Sequence, residues 1–234
     1  MALVFSPVTQ DVMEGPFQPR PRHAFLMLHS AERRSRLDRE LESSTASVLQ
    51  ESGVTAIRAT DIGGTGDYLE KIIGLIRGCG LGVAVFTEAT PPPTLANIFF
   101  EVGLCPMFGR PVVLAKTAEA ITPSDFVRTE WVARYENEGQ FRANLLATLD
   151  TLLTESVRYY RSIAEVAIEA DEVDYEIAFE RFVQAYLLGG EKEDLDDIRR
   201  IYDALRSPSE DPRLHTVRRR LRATVGHFVK LATG

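Results

Sequence analysis

The chain is poor in cysteine and has no long apolar run. Its two cysteines, Cys79 and Cys105, are too few for a disulfide framework, which favours a reducing compartment. No stretch approaches the roughly 18–20 consecutive apolar residues of a membrane span. The first residues lack the charged start and apolar centre of a secretory signal peptide. We therefore expect a cytoplasmic protein that does not enter a membrane.

Histidine is also scarce. The four histidines, at positions 23, 29, 215 and 227, show no ligand-like spacing with one another or with the cysteines. Cys105 lies in an apolar segment that favours a core position. No hydrolase triad is visible, and Ser30 lacks the surroundings of a nucleophile elbow. We therefore expect neither a metal nor a bound cofactor.

The composition is that of a soluble globular protein. Of the 234 residues 44% are hydrophobic and 26% are charged, and the formal net charge is −7. This negative charge argues against indiscriminate binding to nucleic acid, so we do not expect a nucleic-acid partner. The length suits one ordinary domain with a smaller appended one.

Apolar strands alternate with helical patterns over the first two thirds of the chain. The predicted strands are 23–28, 54–59, 81–86, 111–116 and 130–135, and the predicted helices include 31–52 and 94–108. A third helix carries its apolar residues at positions 69, 72, 73 and 76, and Gly78 to Gly80 are predicted to end it. Such alternation predicts an α/β fold with a parallel sheet covered on both faces. Residues 1–22 are rich in proline and are interpreted as an arm.

From Gln140 onward the pattern is helical without strands. The predicted helices are 141–153, 159–168, 175–188, 195–205 and 217–231, and we place a domain boundary near 155. The predicted units are thus an arm at 1–22, an α/β domain at 23–155 and a helical domain at 156–234. The segment from Arg213 to Arg222 is basic. It is either a solvated helix face or a contact for nucleic acid or an acidic partner helix.

One carboxylate, Glu101, lies inside the otherwise apolar run from Ile98 to Met107. Asn97 precedes it by four residues, so both side chains share one face of a helix. Gly103 is expected to allow close packing against the sheet. A carboxylate in an apolar cleft can stabilise or trap the oxocarbenium ion formed when a glycosidic bond breaks. Glu101 is therefore either a catalytic carboxylate or an acidic residue on the helix surface.

The loops at 29–31, 60–67 and 87–94 follow predicted strands and are expected at the ligand-binding edge of the sheet. Candidate substrate contacts at that edge are Ser30, Asp61, Gly63, Gly64, Phe86 and Glu88. The GGTG loop from Gly63 is either a phosphate-binding turn or a flexible connection, since it does not match the full dinucleotide or P-loop motif. Asp61 either binds ribose hydroxyls or caps its turn. Glu88 is a candidate acid for protonating a leaving base.

The order of these motifs resembles the TIR-like and nucleoside 2-deoxyribosyltransferase-like group. The resemblance rests on Asn97-Ile-Phe-Phe-Glu101-Val-Gly103, an apolar helix, and then Gly109-Arg-Pro before a strand. Pro123-Ser-Asp125-Phe also looks like a segment of many TIR-like members, and it adds Asp125 to the predicted contacts. The resemblance covers roughly residues 23–150. It implies a flavodoxin-like, five-stranded domain that cleaves an N-glycosidic bond, with Glu101 as the catalytic carboxylate.

The resemblance leaves two kinds of substrate open. TIR enzymes remove nicotinamide from NAD, whereas the transferases pass the sugar of a nucleoside to another base. Nicotinamide in NAD is cationic and leaves without protonation, so a single carboxylate suffices, which favours NAD over a nucleoside or related nucleotide. The appended helices resemble those of bacterial defence effectors, in which a second module senses a signal or forms a homo-oligomer or a complex with a partner protein. The alternative is a non-catalytic nucleotide sensor or a scaffold that assembles through its helical region.

Overall fold

The computed structural model describes residues 18–29, 35–62, 68–123, 131–170, 172–206 and 215–233. Within these residues five strands form one sheet: β1 (Arg20–Leu28), β2 (Thr55–Ile57), β3 (Cys79–Phe86), β4 (Val112–Thr117) and β5 (Trp131–Tyr135). Every neighbouring pair is parallel, and the order is β2-β1-β3-β4-β5. This is the strand order of flavodoxin-like doubly wound sheets. It confirms the predicted fold class.

Helices connect the first four strands in the chain, and further helices follow the last one. They are α1 (Arg36–Glu51), α2 (Tyr68–Gly78), α3 (Pro92–Met107), α4 (Glu138–Thr151), α5 (Val157–Glu169), α6 (Tyr175–Gly189), α7 (Lys192–Ala204) and α8 (His215–Thr233). A short 3₁₀ turn, Ala59–Asp61, follows β2, and a π-helical turn, Leu152–Ser156, joins α4 to α5. The predicted all-helical region after the sheet is therefore present.

Alternating residues of β3 bury into two cores on opposite faces of the sheet. Leu81, Val83 and Val85 belong to the core formed with α1, α4 and α6. Ala84 and Phe86 belong to the core formed with α2 and α3. Because both faces are covered, the sequence of the strand is a continuous apolar run and does not alternate between apolar and polar residues. This run is the reason that the sheet could be predicted.

Helix α6 packs directly on the sheet. Its Ala185 and Leu188 share the core of β1 and β3. A Cβ atom at Gly80 would lie only 2.3 Å from the carbonyl oxygen of Leu187, so the backbones of β3 and α6 approach too closely for any side chain at this position. The helical region thus supplies part of the sheet's core, although the chain order had indicated a separate module. The predicted domain boundary near 155 lies in the π-helical turn.

The last three helices share a third core. It includes Phe179 and Phe182 of α6, Ile198 of α7, and Val225 and Phe228 of α8. A bidentate ion pair also joins α5 to α7: the Arg161 guanidinium donates to both carboxylate oxygens of Asp194, at 2.5 and 2.8 Å. Asp194 is only 1% exposed. Helix α6 therefore lies between the sheet and the terminal helices.

Two predicted boundaries were wrong at the amino ends of the strands. β1 begins at Arg20 and not at His23, because its polar first residues pair with β3, Arg20 opposite Cys79. Residues 20–22 of the predicted arm therefore belong to β1. Gly78 does end α2, but the cysteine and glycine after it open β3 instead of forming a turn. Arg22, whose φ is 58°, lies at a shift in the register of β1 and donates to the carbonyl oxygen of Ser52 at the end of α1.

Within the residues that the structure describes, no helix combines the length and apolar character needed to cross a membrane.

Candidate functional site

The carboxyl edge of the sheet is where ligands bind in this kind of fold. β1 lies between β2 and β3, so the chain reverses its direction of winding there, and a crevice forms outside the strand ends. β1, β2 and β3 end at Leu28, Ile57 and Phe86. The described parts of the three predicted loops follow those ends, as expected. Three of the predicted contacts, Ser30, Gly63 and Gly64, lie outside the described residues, and so does Asp125.

Glu101 lies partly buried on α3. The helix opens with Pro92 and Pro93, whose fixed φ and missing N–H groups suit a first turn. Ile98, Val102 and Cys105 then point into the core, and Glu101 lies at the flank of this apolar stripe. Burial raises the pKa of Glu101 to about 7. Among the described residues, none donates a hydrogen bond to this carboxylate or forms an ion pair with it.

The charge of Glu101 acts on the beginning of α2. The pKa of Tyr68, the first residue of that helix, is raised mainly by burial and secondly by the negative charge of Glu101. Tyr68 remains 58% exposed. The carboxylate therefore lies near enough to the start of α2 for its charge to act on a phenol that solvent reaches. Sequence reasoning missed Tyr68, because only tertiary packing brings the two helices together.

Asn97 and Gly103 flank Glu101 on the exposed side of α3. The helix is continuous from Pro92 to Met107, so Asn97 lies one turn before Glu101, as predicted. The expectation that Gly103 packs closely on the sheet was wrong: Gly103 is exposed, and a Cβ built there meets nothing within 4 Å. The close approach is made instead by Gly82 of β3, where a Cβ would lie 2.9 Å from the Sγ of Cys105. Cys105 is buried, which confirms its predicted core position.

Glu88 and Asp61 both accept hydrogen bonds near the strand ends. The Thr117 hydroxyl at the end of β4 donates to Glu88 at 2.6 Å. The backbone N–H of Arg58 donates to Asp61 at 2.8 Å, which closes the 3₁₀ turn after β2. Asp61 therefore caps its turn, one of the two roles left open by the sequence. Each carboxylate acts as an acceptor in these bonds.

Phe86, the last residue of β3, is 1% exposed. Its ring packs edge to face on Phe99 of α3, with the ring centroids 5.4 Å apart. Its contribution in this structure is to fix α3 against the end of β3. This contact contributes to the orientation of the helix that carries Glu101.

A polar cluster at the switch between β1 and β3 was not predicted. Asp38, in the first turn of α1, accepts a 2.5 Å hydrogen bond from the Thr87 hydroxyl and a 3.0 Å bond from the Ser35 N–H. Burial acts to raise the pKa of Asp38, but these bonds and nearby His29 outweigh it and hold the pKa below its usual range. The Ser-x-x-Asp capping pattern was visible in the sequence. Its link to Thr87 was not, since the two residues lie 49 positions apart.

Arg110, the arginine of the Gly-Arg-Pro motif, lies at the opposite edge of the sheet. Its guanidinium is buried and donates to the carbonyl oxygen of Arg77 in the last turn of α2. Burial lowers the pKa of Arg110 to about 10. Carbonyl groups at a helix end have no partner within the helix, and a cation there is favourable. Arg110 therefore stabilises α2 and is remote from the carboxyl edge.

The chain matches no protein-family model, and no curated protein and no solved structure matches it. The resemblance to the TIR-like and deoxyribosyltransferase-like group therefore stays a prediction.

Proposed function

We propose that the protein cleaves an N-glycosidic bond of NAD or of a related nucleotide or nucleoside, with Glu101 as the catalytic carboxylate. The observation that carries the proposal is the environment of Glu101. Its carboxylate is partly buried, has a pKa of about 7, and has no hydrogen-bond donor or cation beside it within the described residues. Such a group weakens the fold once it ionises. Perturbed carboxylates of this kind concentrate at functional sites.

The chemistry follows from charge. Loss of the base leaves positive charge on the ribose at C1′ and its ring oxygen, and a fixed carboxylate stabilises that charge. The C1′–N bond breaks with its electron pair on the departing base. Water then attacks C1′ and releases a proton. Glu101 would act in its ionised form, and Asn97, one turn away, would position a ribose hydroxyl.

The environments of the other two acids support NAD over a neutral nucleoside. A neutral base needs a proton donor when it leaves. Glu88 and Asp61, the candidates for that role, both accept hydrogen bonds in the structure. Nicotinamide in NAD leaves as a neutral molecule without protonation. A site with one ionised carboxylate is sufficient for this reaction.

The experiment compares three proteins: the native chain, Glu101→Gln and Glu165→Gln. Glu165 is an exposed acid of α5 and provides a control with the same change in charge. Each protein is incubated with NAD and with a panel of nucleosides and nucleotides, and base release is followed by chromatography. We expect nicotinamide release by the native chain and by Glu165→Gln. The rate should fall on the order of 10³-fold in Glu101→Gln.

The pH dependence adds an independent test. Since Glu101 must be ionised, kcat/KM should rise with pH and level off above about pH 7. Release of the base at equal rates by the native chain and by Glu101→Gln would contradict the proposal. Saturable NAD binding with no turnover in either protein would indicate a sensor instead. We further propose that the helical region mediates a homo-oligomer or a partner contact, which size measurement of the full chain in solution tests.

A further inference from the structure

A groove of about 360 Å³ lies between α7 and α8, far along the chain from Glu101. Tyr202 of α7 forms one wall, and one face of α8 forms the other. The residues that line it are Tyr202, Arg219, Arg222, Ala223, Gly226, His227 and Lys230. Gly226 is necessary for this shape, since a Cβ there would lie 2.7 Å from the Tyr202 ring. We call this feature the α7–α8 groove.

The α7–α8 groove is basic within an acidic protein. Helix α8 contains no aspartate or glutamate between positions 215 and 233, whereas the whole chain has a net charge of −7. Arg218, which is partly buried, is used structurally: it donates to the carbonyl oxygen of Ala204 at the end of α7. In the part of the chain that the structure describes, no acid pairs with Arg219, Arg222 or Lys230. These three cations line the groove.

The arginines of α7 behave differently. Arg199 and Arg200 each bind an aspartate three residues earlier, at 2.5 and 2.6 Å. Like charges three and four residues apart on a helix repel one another. Among the described residues Arg219 and Arg222, which are three positions apart, therefore repel each other without the aspartate partners found on α7, and an anion bound in the groove would relieve that repulsion.

We propose that the α7–α8 groove binds the phosphate groups of a small polyphosphate ligand such as a nucleoside triphosphate. Arginine presents a planar fork of donors that matches phosphate oxygens, and lysine adds a compact charge. The volume lies at the lower end of the range for small-molecule sites, roughly 300–1,000 Å³. The negative charge of the remaining chain repels a long polyanion. A small ligand is influenced mainly by charges within a Debye length of about 8–10 Å, so the negative charge of the remaining chain opposes its binding less.

This site is independent of the proposed catalytic one. Glu101 lies on α3, which covers one face of the sheet, and α6 covers the other. Helix α8 packs on α6 through Phe228, whose ring meets those of Phe179 and Tyr186 at right angles. The α7–α8 groove is thus separated from Glu101 by α6 and the sheet. Binding at one site does not require function at the other.

The experiment measures binding by calorimetry at low salt, with all proteins carrying Glu101→Gln so that the α3 site does not turn over the ligand. The ligands are inorganic tripolyphosphate, ATP and a short single-stranded DNA oligonucleotide. The groove variant carries Arg222→Ala. The matched control is Arg220→Ala, an exposed arginine of the same helix that does not line the groove. Far-UV circular dichroism and urea midpoints establish that all proteins fold alike.

We expect tripolyphosphate and ATP to bind and to compete with each other. Binding of both should weaken at least about tenfold in the groove variant, because a charge-assisted contact is lost, and should change by less than about twofold in Arg220→Ala. An absence of binding by both small anions would overturn the proposal. Equal weakening in the Arg220→Ala control would also overturn it, since the attraction would then be diffuse. Binding of the oligonucleotide alone would identify a nucleic-acid surface instead.

Discussion

Replacing Glu101 with glutamine should make the protein more stable, and only above a certain pH. The native carboxyl binds its proton up to a pH of about 7, whereas the unfolded chain releases that proton near the ordinary value of 4.5. Between these two values the native state holds more protons than the unfolded state. The free energy of unfolding of the native chain therefore falls as pH rises through this window. Glutamine does not ionise, so the free energy of unfolding of the Glu101→Gln variant does not fall in this way.

The magnitude follows from the pKa. Each unit of pKa difference corresponds to about 1.4 kcal/mol, so the full effect is about 3 kcal/mol. Glu101 is only partly buried, and solvent near the carboxylate reduces the expected gain to about 1–3 kcal/mol above pH 8. Near pH 4 both chains carry a neutral side chain here, and their stabilities should agree. With a urea m value of about 2–3 kcal/mol/M, a gain of about 2 kcal/mol moves the midpoint by about 0.7–1 M.

The assay is urea unfolding of the native chain, Glu101→Gln and Glu165→Gln at several pH values from about 4 to 8.5. Glu165 is exposed on α5, so its replacement should change the free energy of unfolding by less than about 0.5 kcal/mol throughout. The result that refutes the reasoning is a Glu101→Gln chain no more stable than the native one at pH 8. The carboxylate would then have a compensating partner, and its use as an unpaired catalytic charge would lose its physical basis.

Two further changes test how the helical region is held. Gly80→Ala places a Cβ against the backbone of α6, which no side-chain rotation relieves, so urea unfolding should show a loss of about 2 kcal/mol or more. Gly74→Ala in α2 meets nothing within 4 Å and should instead stabilise by about 0.5–1 kcal/mol; equal effects would contradict the close approach. Arg161→Met leaves Asp194 buried and unpaired, at a cost of about 3–5 kcal/mol in the same assay. Arg200→Met, at an exposed pair, should cost less than about 1 kcal/mol. A similar loss in Arg161→Met and Arg200→Met would refute the distinction between the buried and the exposed ion pair.

The sheet could be predicted because its strands are buried on both faces. The continuous apolar run that ends at Phe86, and the one before Lys116, have no other common explanation when helical patterns separate them. The amino ends of the strands could not be predicted in the same way. Arg20 joins β1 through backbone pairing, which leaves no apolar signal, and Gly80 resembles the turn residues that usually follow a helix.

The candidate site was predictable only where it depends on residues that are close together in the sequence. Glu101 is conspicuous because its neighbours in sequence are apolar, and helical spacing places Asn97 beside it. The effect of the Glu101 charge on Tyr68 depends on how α2 packs against α3, and the bond between Asp38 and Thr87 joins segments that are distant in the chain. The basic segment near α8 was visible in the sequence. That it forms a groove with α7 depends on the packing of the last three helices.

The contact between α6 and β3 also affects how the chain folds as it is synthesised. The last strand ends at Tyr135, and α6 ends at Gly189, so roughly 50 further residues must be made before one face of the sheet is covered. At about 5–20 residues per second this takes several seconds. During that time Leu26 and Val83 would lack part of their cover. The nascent sheet is therefore expected to be a target for chaperones until α6 arrives.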